Sequence, residues 1–471
     1  MARTKKEAAL TPEERLQAAL VPDWEWPYKL PENWCWTYFK SISTIQTGKK
    51  DANYGSDEGK YPFFTCAAEP IRCHGYSFDC RAILLAGNGD INNISRYNGK
   101  FEAYQRTYVV KIVEPLCFDY IFYWFKYRWF NFNKGKMFGT AIPYIRLGNL
   151  QEFPTPIPPL AEQQRIVDRI ESLFAKLDEA KERAQAVLDS FEARKAAILH
   201  KAFTGELTAK WREEHGVRME SWEQCSLSDV CTVNPKKVDT KDLPDELEVS
   251  FFPMPALSEI YGEITDPQTR LLKEVRSGFT NFSEGDVVFA KITPCMENGK
   301  SAVVGKLVND IGYGTTEFFV LRCSDRLYNR FLYHLVRDKL FRDKAKAVMA
   351  GAVGQQRVPK RYLETYKLNL PKFNEQREIV RILDGSFAKE QQAKEAAEAV
   401  LDQIDLMKKS ILARAFRGEL GTNDPSEESA VELLKQVIEQ EDGDVIRPKA
   451  KAKRIAIPAE IKPLLSGANE E

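Results

Sequence analysis

Gly87-Asn88-Gly89-Asp90-Ile91-Asn92-Asn93, with Arg96, Lys100 and Arg106 close behind, is the richest cluster of side chains suited to a chemical task. Arginine and lysine can address the acceptor edge of guanine, asparagine can pair with adenine, and loop glycines let a backbone approach a ligand closely. Lys49 and Arg146 join this first set of candidate DNA contacts. A second set, Lys291, Asn298, Lys300, Arg357, Lys360 and Arg361, occurs later in the chain. Any one of these residues alone is an ordinary solvated loop side chain. Two such platforms in one chain point to recognition of bases and phosphates.

Bond-making constellations are not legible. The sequence has no GxxxxGK[ST] phosphate loop, no GxGxxG after a strand, no HExxH, no GxSxG and no Asn-Pro-Pro-aromatic motif. His74, His200, His215 and His334 are dispersed, and Glu179 and Lys181 read as solvent-facing charges on a helix. Cys66, Cys73, His74 and Cys80 lack the tight spacings of a structural zinc site, so no metal is expected. The chain reads as a binder or scaffold.

What positions the two platforms is a repeat. Residues 162–207 and 375–420 align without a gap at an offset of 213, with 23 of 46 positions identical. Each copy carries an apolar stripe in steps of three and four: Ile166, Ile170, Leu173, Leu177, Val187, Phe191 and Ile198 in the first, and Ile379, Leu383, Val400, Ile404 and Ile411 in the second. That spacing predicts two long helices packed along a seam. Prolines precede both, acids open them, bases and then Gly205 and Gly418 close them. About 40 helical residues would span roughly 60 Å.

A mixed α/β segment precedes each helix, and the two present their features in one order. An aromatic strand (61–65; 251–252) comes first, then apolar strands (82–86, 108–112; 287–292, 318–321) and a helix (118–129; 328–340). A Gly-containing loop follows (138–146; 351–357), and the lead-ins Pro31-Glu32-Asn33-Trp34 and Met219-Glu220-Ser221-Trp222 also correspond. The expected fold is α+β, two mixed domains related by a pseudo-twofold axis, with the two long helices packed along one seam. The expected segments are a helical arm at 1–29, domains at 30–156 and 222–370, and long-helix regions at 157–221 and 371–421. A tail at 422–471 turns from acidic to basic (Arg447, Lys449, Lys451, Lys453, Arg454). Trp24, Trp26 and Trp34 are available to pack the arm onto the body.

Composition bounds the rest. Lys plus Arg equals Asp plus Glu at 68 each, so affinity for a polyanion must come from local patches. Residues 43–156 hold 14 bases against 10 acids and residues 226–371 hold 21 against 19, so autonomous DNA affinity is expected to be modest and partners to complete the grip. Nine cysteines without a CxxC pair, no secretory signal and no membrane-length apolar run predict a soluble, cytoplasmic protein.

Pro158-Pro159-Leu160-Ala161-Glu162-Gln163-Gln164-Arg165-Ile166-Val167 and the helix ending Ala202-Phe203-Thr204-Gly205-Glu206-Leu207 resemble the central conserved region of Type I restriction-modification specificity subunits. Pro371 to Leu420, with Glu427 to Leu434, resembles the distal conserved region, and Leu30-Pro31-Glu32-Asn33-Trp34 is likewise similar. The second copy departs in reading Pro371-Lys372-Phe373-Asn374-Glu375, without the double proline. The resemblance implies a non-catalytic subunit whose two target recognition domains each read half of a bipartite double-stranded DNA site. The two conserved helices would form a long antiparallel coiled coil separating the domains, which would set the spacer and dock two methyltransferase subunits, joined by two ATP-dependent restriction subunits. S-adenosylmethionine, ATP and magnesium would belong to those partners. Rival readings are a coiled-coil adaptor that never touches DNA, a single-chain methyltransferase or nuclease, and a modification-only relative.

Overall fold

The computed structural model describes residues 11–445, apart from Ile260, Tyr261 and Val353. The expected basic run from Arg447 lies outside the described residues, as does the start of the arm. Two compact units form, Met1–Lys181 with Asp402–Glu471, and Glu182–Leu401. The helices that matter are α1 (Pro12–Ala19), α2 (Phe118–Asn133), α3 (Leu160–Thr204), α4 (Asn329–Arg337), α5 (Lys339–Ala347), α6 (Phe373–Ala415) and α7 (Ala430–Val445).

In the first unit β1 (Cys35–Tyr38) pairs antiparallel with β8 (Pro154–Ile157), the strand that leads into α3. Between them lies a six-stranded sheet in the order β2 (Ser43–Thr47), β7 (Thr107–Ile112), β5 (Phe78–Ala86), β6 (Ile94–Ala103), β3 (Tyr61–Phe64), β4 (Ile71–Cys73). Residues Ala82 to Ala86 of β5 are all buried, as a continuous apolar run in a covered central strand requires. The aromatic helix α2 packs Trp124, Phe125 and Trp129 against Trp36, Phe39 and Phe153.

The second unit repeats this plan. β9 (Glu223–Ser226) pairs with β18 (Lys367–Leu370) ahead of α6. One sheet runs β10 (Cys231–Val233), β17 (Phe318–Cys323), β14 (Val287–Ala290), β15 (Ser301–Val303), and the other β12 (Gln268–Leu271), β11 (Glu248–Phe252), β16 (Gly312–Gly314), β13 (Thr280–Phe282). The long strand β6 of the first unit is represented here by two short ones, β15 and β16, separated by residues 304–311. β3 pairs parallel with the end of β6, and β11 pairs parallel with β16.

The long helices have 45 and 43 residues, and each contributes to both units. Within the second unit Lys394 lies over Phe191, Arg194 binds Glu390 at 2.8 Å, and Lys195 lies over Phe387, so the numbers fall along α6 as they rise along α3 and the pairing is antiparallel. In the first unit Lys408 lies over Phe174 at 5.1 Å and binds Asp178. Phe174 and Phe387 are paired repeat positions, and so are Lys195 and Lys408. The same cation–π contact therefore forms twice, each time between residues of opposite copies.

Ile166 and Ile170 are buried in the core of the first unit and Ile379 and Leu383 in that of the second; Phe191 and Ile404 are also buried, while Leu173, Leu177, Val187, Ile198 and Ile411 are half-buried. Val400, expected in the seam, is 39% exposed. The buried and half-buried positions there run Lys394, Ala397, Leu401, Ile404 and Lys408 in steps of three and four, so Leu401 rather than Val400 faces inward. Trp24 does not pack back on the body either, being 85% exposed, whereas Trp34 is buried. The helix expected at 328–340 breaks at Asp338, whose carboxylate accepts the Phe341 N–H at 3.3 Å and starts α5.

Glu-Gln at the head of each long helix explains why that dipeptide recurs. Gln163 accepts the Cys117 N–H at 2.8 Å and donates to the Pro158 carbonyl, and Gln376 accepts the Tyr328 N–H at 2.7 Å and donates to the Pro371 carbonyl. Cys117 and Tyr328 are the residues immediately before α2 and α4, so each glutamine pins a sheet domain's helix to the long helix that follows it. The glutamates reach the other copy's tail. Glu162 accepts Thr422 Oγ1 at 2.7 Å and binds Arg165, which also grips Glu427 with both terminal nitrogens. Glu375 accepts Thr208 Oγ1 and Arg212 Nη1, both at 2.7 Å, and the Trp222 indole at 3.0 Å.

Gly205 and Gly418, at φ of 83° and 72°, close the long helices in the left-handed conformation. A Cβ on Gly418 would stand 2.5 Å from Pro31, and one on Gly205 2.7 Å from Met219, so each lead-in is packed on a glycine of a long-helix tail. Phe416 and Phe203, two residues earlier, lie against Trp124 and Phe331 respectively.

Two outcomes follow for stability. Glu375→Ala leaves the largely buried Arg212 guanidinium without its carboxylate and should cost about 3–5 kcal/mol, whereas Glu427→Ala should cost less because its partner Arg165 is 39% exposed and keeps Glu162; thermal unfolding of the two variants decides the ranking. His334 Nε2 meets Asp384 at 3.1 Å, with Arg330 on the other carboxylate oxygen, and burial holds the imidazole below its ordinary value of 6.5. The unfolded chain then takes up the proton first, so this contribution is full above about pH 6.5 and declines below it, by at most about 1.4 kcal/mol per pH unit. Denaturant titrations between pH 7.5 and 5.5 should show a flatter profile for His334→Phe than for the native chain.

Candidate nucleic-acid interface

At one end of each central strand the backbone builds the same small platform. In the first unit Gly87, just past β5, donates to the Arg106 carbonyl at 2.9 Å and accepts from Ile145 N at 2.9 Å. In the second unit Lys291, just past β14, donates to the Glu317 carbonyl at 2.9 Å and accepts from Val358 N at 2.9 Å. Two residues on, Gly89 N donates to the Pro143 carbonyl and Thr293 N to the Gln356 carbonyl. Each platform ends in a reciprocal pair, Phe138 with Tyr144 and Ala350 with Arg357, and the bridges Asn88–Tyr144 and Ile292–Arg357 complete the match.

These bonds fix residue equivalences that identity cannot. Gly87, Asn88, Gly89, Arg106, Pro143 and Tyr144 stand where Lys291, Ile292, Thr293, Glu317, Gln356 and Arg357 stand in the other unit. None of the six pairs is alike. A scaffold held by main-chain groups leaves its side chains free to differ.

Structure and sequence expectation diverge over which candidates gather there. In the first unit Asn88, Arg106 and Arg146 come together. Arg146 lies 4.0 Å from the Phe138 ring and donates to the Tyr144 hydroxyl at 3.3 Å, while Gln105 and Arg106 line a cleft of about 320 Å3 with Thr47, Gly87, Tyr108 and Ile145. Lys49 is exposed beside Lys50, whose carbonyl accepts the Gln105 N–H, and so borders the same end of the sheet. Asn92 is exposed on the loop, its N–H turned back to Asp90.

Arg96 and Asn93 are committed elsewhere. Arg96 lies in β6 against α2, bound to Asp119 and stacked over Phe122, and the Asn93 amide donates to the Cys66 carbonyl at 2.9 Å. Lys100 lies over Tyr76. In the second unit Lys291 and Arg357 meet on the platform, and Lys360 is nearby in the chain, paired with Glu364 at 2.8 Å. Asn298 and Lys300 are both held by Glu259, at 3.1 and 3.7 Å. The sequence did not single out Glu317, which takes Arg357 Nη2 at 2.8 Å and whose carboxyl that guanidinium holds below the usual carboxylate range. An acid is not an obvious DNA contact, and only the backbone equivalence with Arg106 reveals its place.

Among the described residues no group of three or more His, Cys, Asp or Glu side chains could hold a metal ion, and no helix is long and apolar enough to cross a membrane.

Residues 31–188 and 219–399 match the Type I restriction modification DNA specificity domain, one match for each sheet domain and the helix behind it. The chain belongs to that family. A specificity subunit of this family is the non-catalytic, DNA-binding component of its Type I complex, and S-adenosylmethionine, ATP and magnesium belong to the modification and restriction subunits. The Type I restriction enzyme EcoDI specificity subunit of Escherichia coli is 28% identical over 402 residues, covering 80% of this chain and 86% of the relative. The EcoEI specificity subunit of Escherichia coli is 32% identical over 281 residues, 51% of this chain and 47% of the relative. Among solved structures, the HsdS subunit from Thermoanaerobacter tengcongensis shares the fold at a TM-score of 0.58 and 20% identity, covering 84% of this chain and 100% of that one.

Arg106 and Arg96 should separate in a binding experiment. Arg106→Ala is expected to weaken DNA binding by the assembled complex by about 1–3 kcal/mol with the unfolding midpoint unchanged. Arg96→Ala should lower stability by up to about 1 kcal/mol and leave binding intact. Equal loss of binding from both would dissolve the distinction between platform and support.

Proposed function

We propose that each sheet domain reads one half of a bipartite double-stranded DNA site and that α3 and α6 fix the spacer between the halves. The observation that carries this is the doubled platform: one main-chain scaffold, built twice, with unlike side chains at each of six equivalent positions. The domains are assigned to residues 30–156 and 222–370, the long-helix regions to 157–221 and 371–421, and the flanking segments to 1–29 and 422–471. Asn88, Arg106 and Arg146, with Lys49 and Asn92 at the margin, serve the first half-site, and Lys291, Arg357 and Lys360 the second. Lys and Arg of both sets supply phosphate contacts as well as base contacts.

The repetition of sheet domain and long helix favours two copies of the same partner, two modification subunits, with two restriction subunits completing a cytoplasmic assembly. The mild positive excess of each domain fits a subunit whose grip on DNA is completed by others. The target base is adenine, turned out of the duplex into a modification subunit.

Mapping methylated adenines genome-wide by long-read sequencing, in a strain carrying the chain with its modification subunit and in the same strain without the chain, tests this directly. A split motif that vanishes with the chain is expected. Inserting a few residues at Leu207 to Lys210 should lengthen the spacer and leave both half-sites unchanged. Altered half-sites at constant spacing would refute the helices as the ruler.

A further inference from the structure

The two platforms are equivalent in backbone but not in how their cations are held. Arg357 Nε donates to Glu317 Oε2 at 3.0 Å, Nη2 to Oε1 at 2.8 Å, and Nη1 to the Gln355 carbonyl at 2.9 Å. A guanidinium carries five N–H donors, so these bonds leave one on each terminal nitrogen. Two such donors on the end of a fork match the O6 and N7 acceptors that guanine presents in the major groove. The Arg357 side chain is 43% exposed although three donors are fixed, an ordering cost with no gain in core packing.

At the equivalent positions the first unit has Arg106 in place of Glu317 and Tyr144 in place of Arg357, so no acid aims a guanidinium there. Arg146 is instead held by the Phe138 ring and the Tyr144 hydroxyl. The Glu317–Arg357 pair is thus a property of the second platform and not of the shared scaffold. Lys291, which follows β14 on the same platform with its ammonium over the Phe319 ring, carries charge without the fork geometry needed to discriminate a base.

We propose that Arg357 reads a guanine in the second half-site and that Glu317 is the positioning residue that aims it. This rests on the assignment of one half-site to each domain. The full chain, assembled with its modification subunits, would be offered duplexes randomised across both half-sites and the spacer, and bound sequences would be counted. For the native complex the expected result is a split site with guanine required at one position of the second half.

Arg357→Ala and Arg357→Lys should both relax that position alone, by roughly tenfold or more in discrimination, with the first half-site and spacer unchanged. Glu317→Gln should relax the same position while binding to unrelated DNA holds or rises, since a negative charge has been removed near the phosphates; Glu317→Asp should restore part of the selectivity. An unchanged second half-site in Arg357→Ala overturns the proposal. So does a uniform loss of affinity with no relaxed position, which would make Arg357 a phosphate contact, and so does uniformly tighter binding by Glu317→Gln with selectivity intact. Failure of the native complex to select any split site would instead remove the half-site assignment itself. Unfolding midpoints equal to the native value show that each variant is folded.

Discussion

Everything else in this chain depends on a buried carboxylate and a buried amide at the head of each long helix. The amide of Gln163 or Gln376 ties the helix to the sheet domain before it, and the carboxylate of Glu162 or Glu375 ties it to the tail of the other copy. A buried carboxylate is tolerable only when hydrogen-bonded and paired, and Thr422 with Arg165, or Thr208 with Arg212, meets that condition. Burial still leaves its mark, since the Glu162 carboxyl is pushed above its usual range despite Thr422 and Arg165 pulling it back. Such a group specifies geometry more than it adds stability. It is satisfied in one arrangement of helix, tail and domain, and a slipped register would strand it.

From that constraint comes the division between what is repeated and what is free. At the helix heads and tails the repeated side chains make the bonds, as with Phe174 and Lys408, Phe387 and Lys195, and the two glutamines. On the platforms main-chain amides and carbonyls make them, and main-chain groups do not care which side chain they carry. The proposed function uses both regimes, helix contacts repeated side chain for side chain and replaceable side chains on each platform.

The same division explains what was legible in the sequence. The long helices could be read because their contacts are written in side chains. The order of strands and helices in the sheet domains could be read from apolar runs such as 82–86 and 287–290. The correspondence of Arg106 with Glu317 could not, because it consists of one carbonyl bond each. Arg96 and Lys300 look like surface cations in sequence, but a carboxylate on another element, Asp119 or Glu259, engages each. Val400 fits the apolar periodicity and still faces outward, because its neighbour Leu401 takes that step of the stripe. Where β6 is one strand in the first domain, residues 304–311 divide it in the second, so equal topology is concealed by unequal length.

The composition of the two units also sets an order of events at the ribosome. Residues 182–401 are contiguous, and Thr208 and Arg212 wait only for Glu375 before their cluster can close. The first unit is split by that whole segment: Trp124 waits for Phe416, Glu162 for Thr422, and Arg165 for Glu427, partners translated more than 250 residues later. The domain made first is therefore completed last, and until then its aromatic core lacks Phe416 and its buried acid lacks a donor from the tail. A chain terminated before residue 416 would retain every second-unit residue and still leave the first unit open.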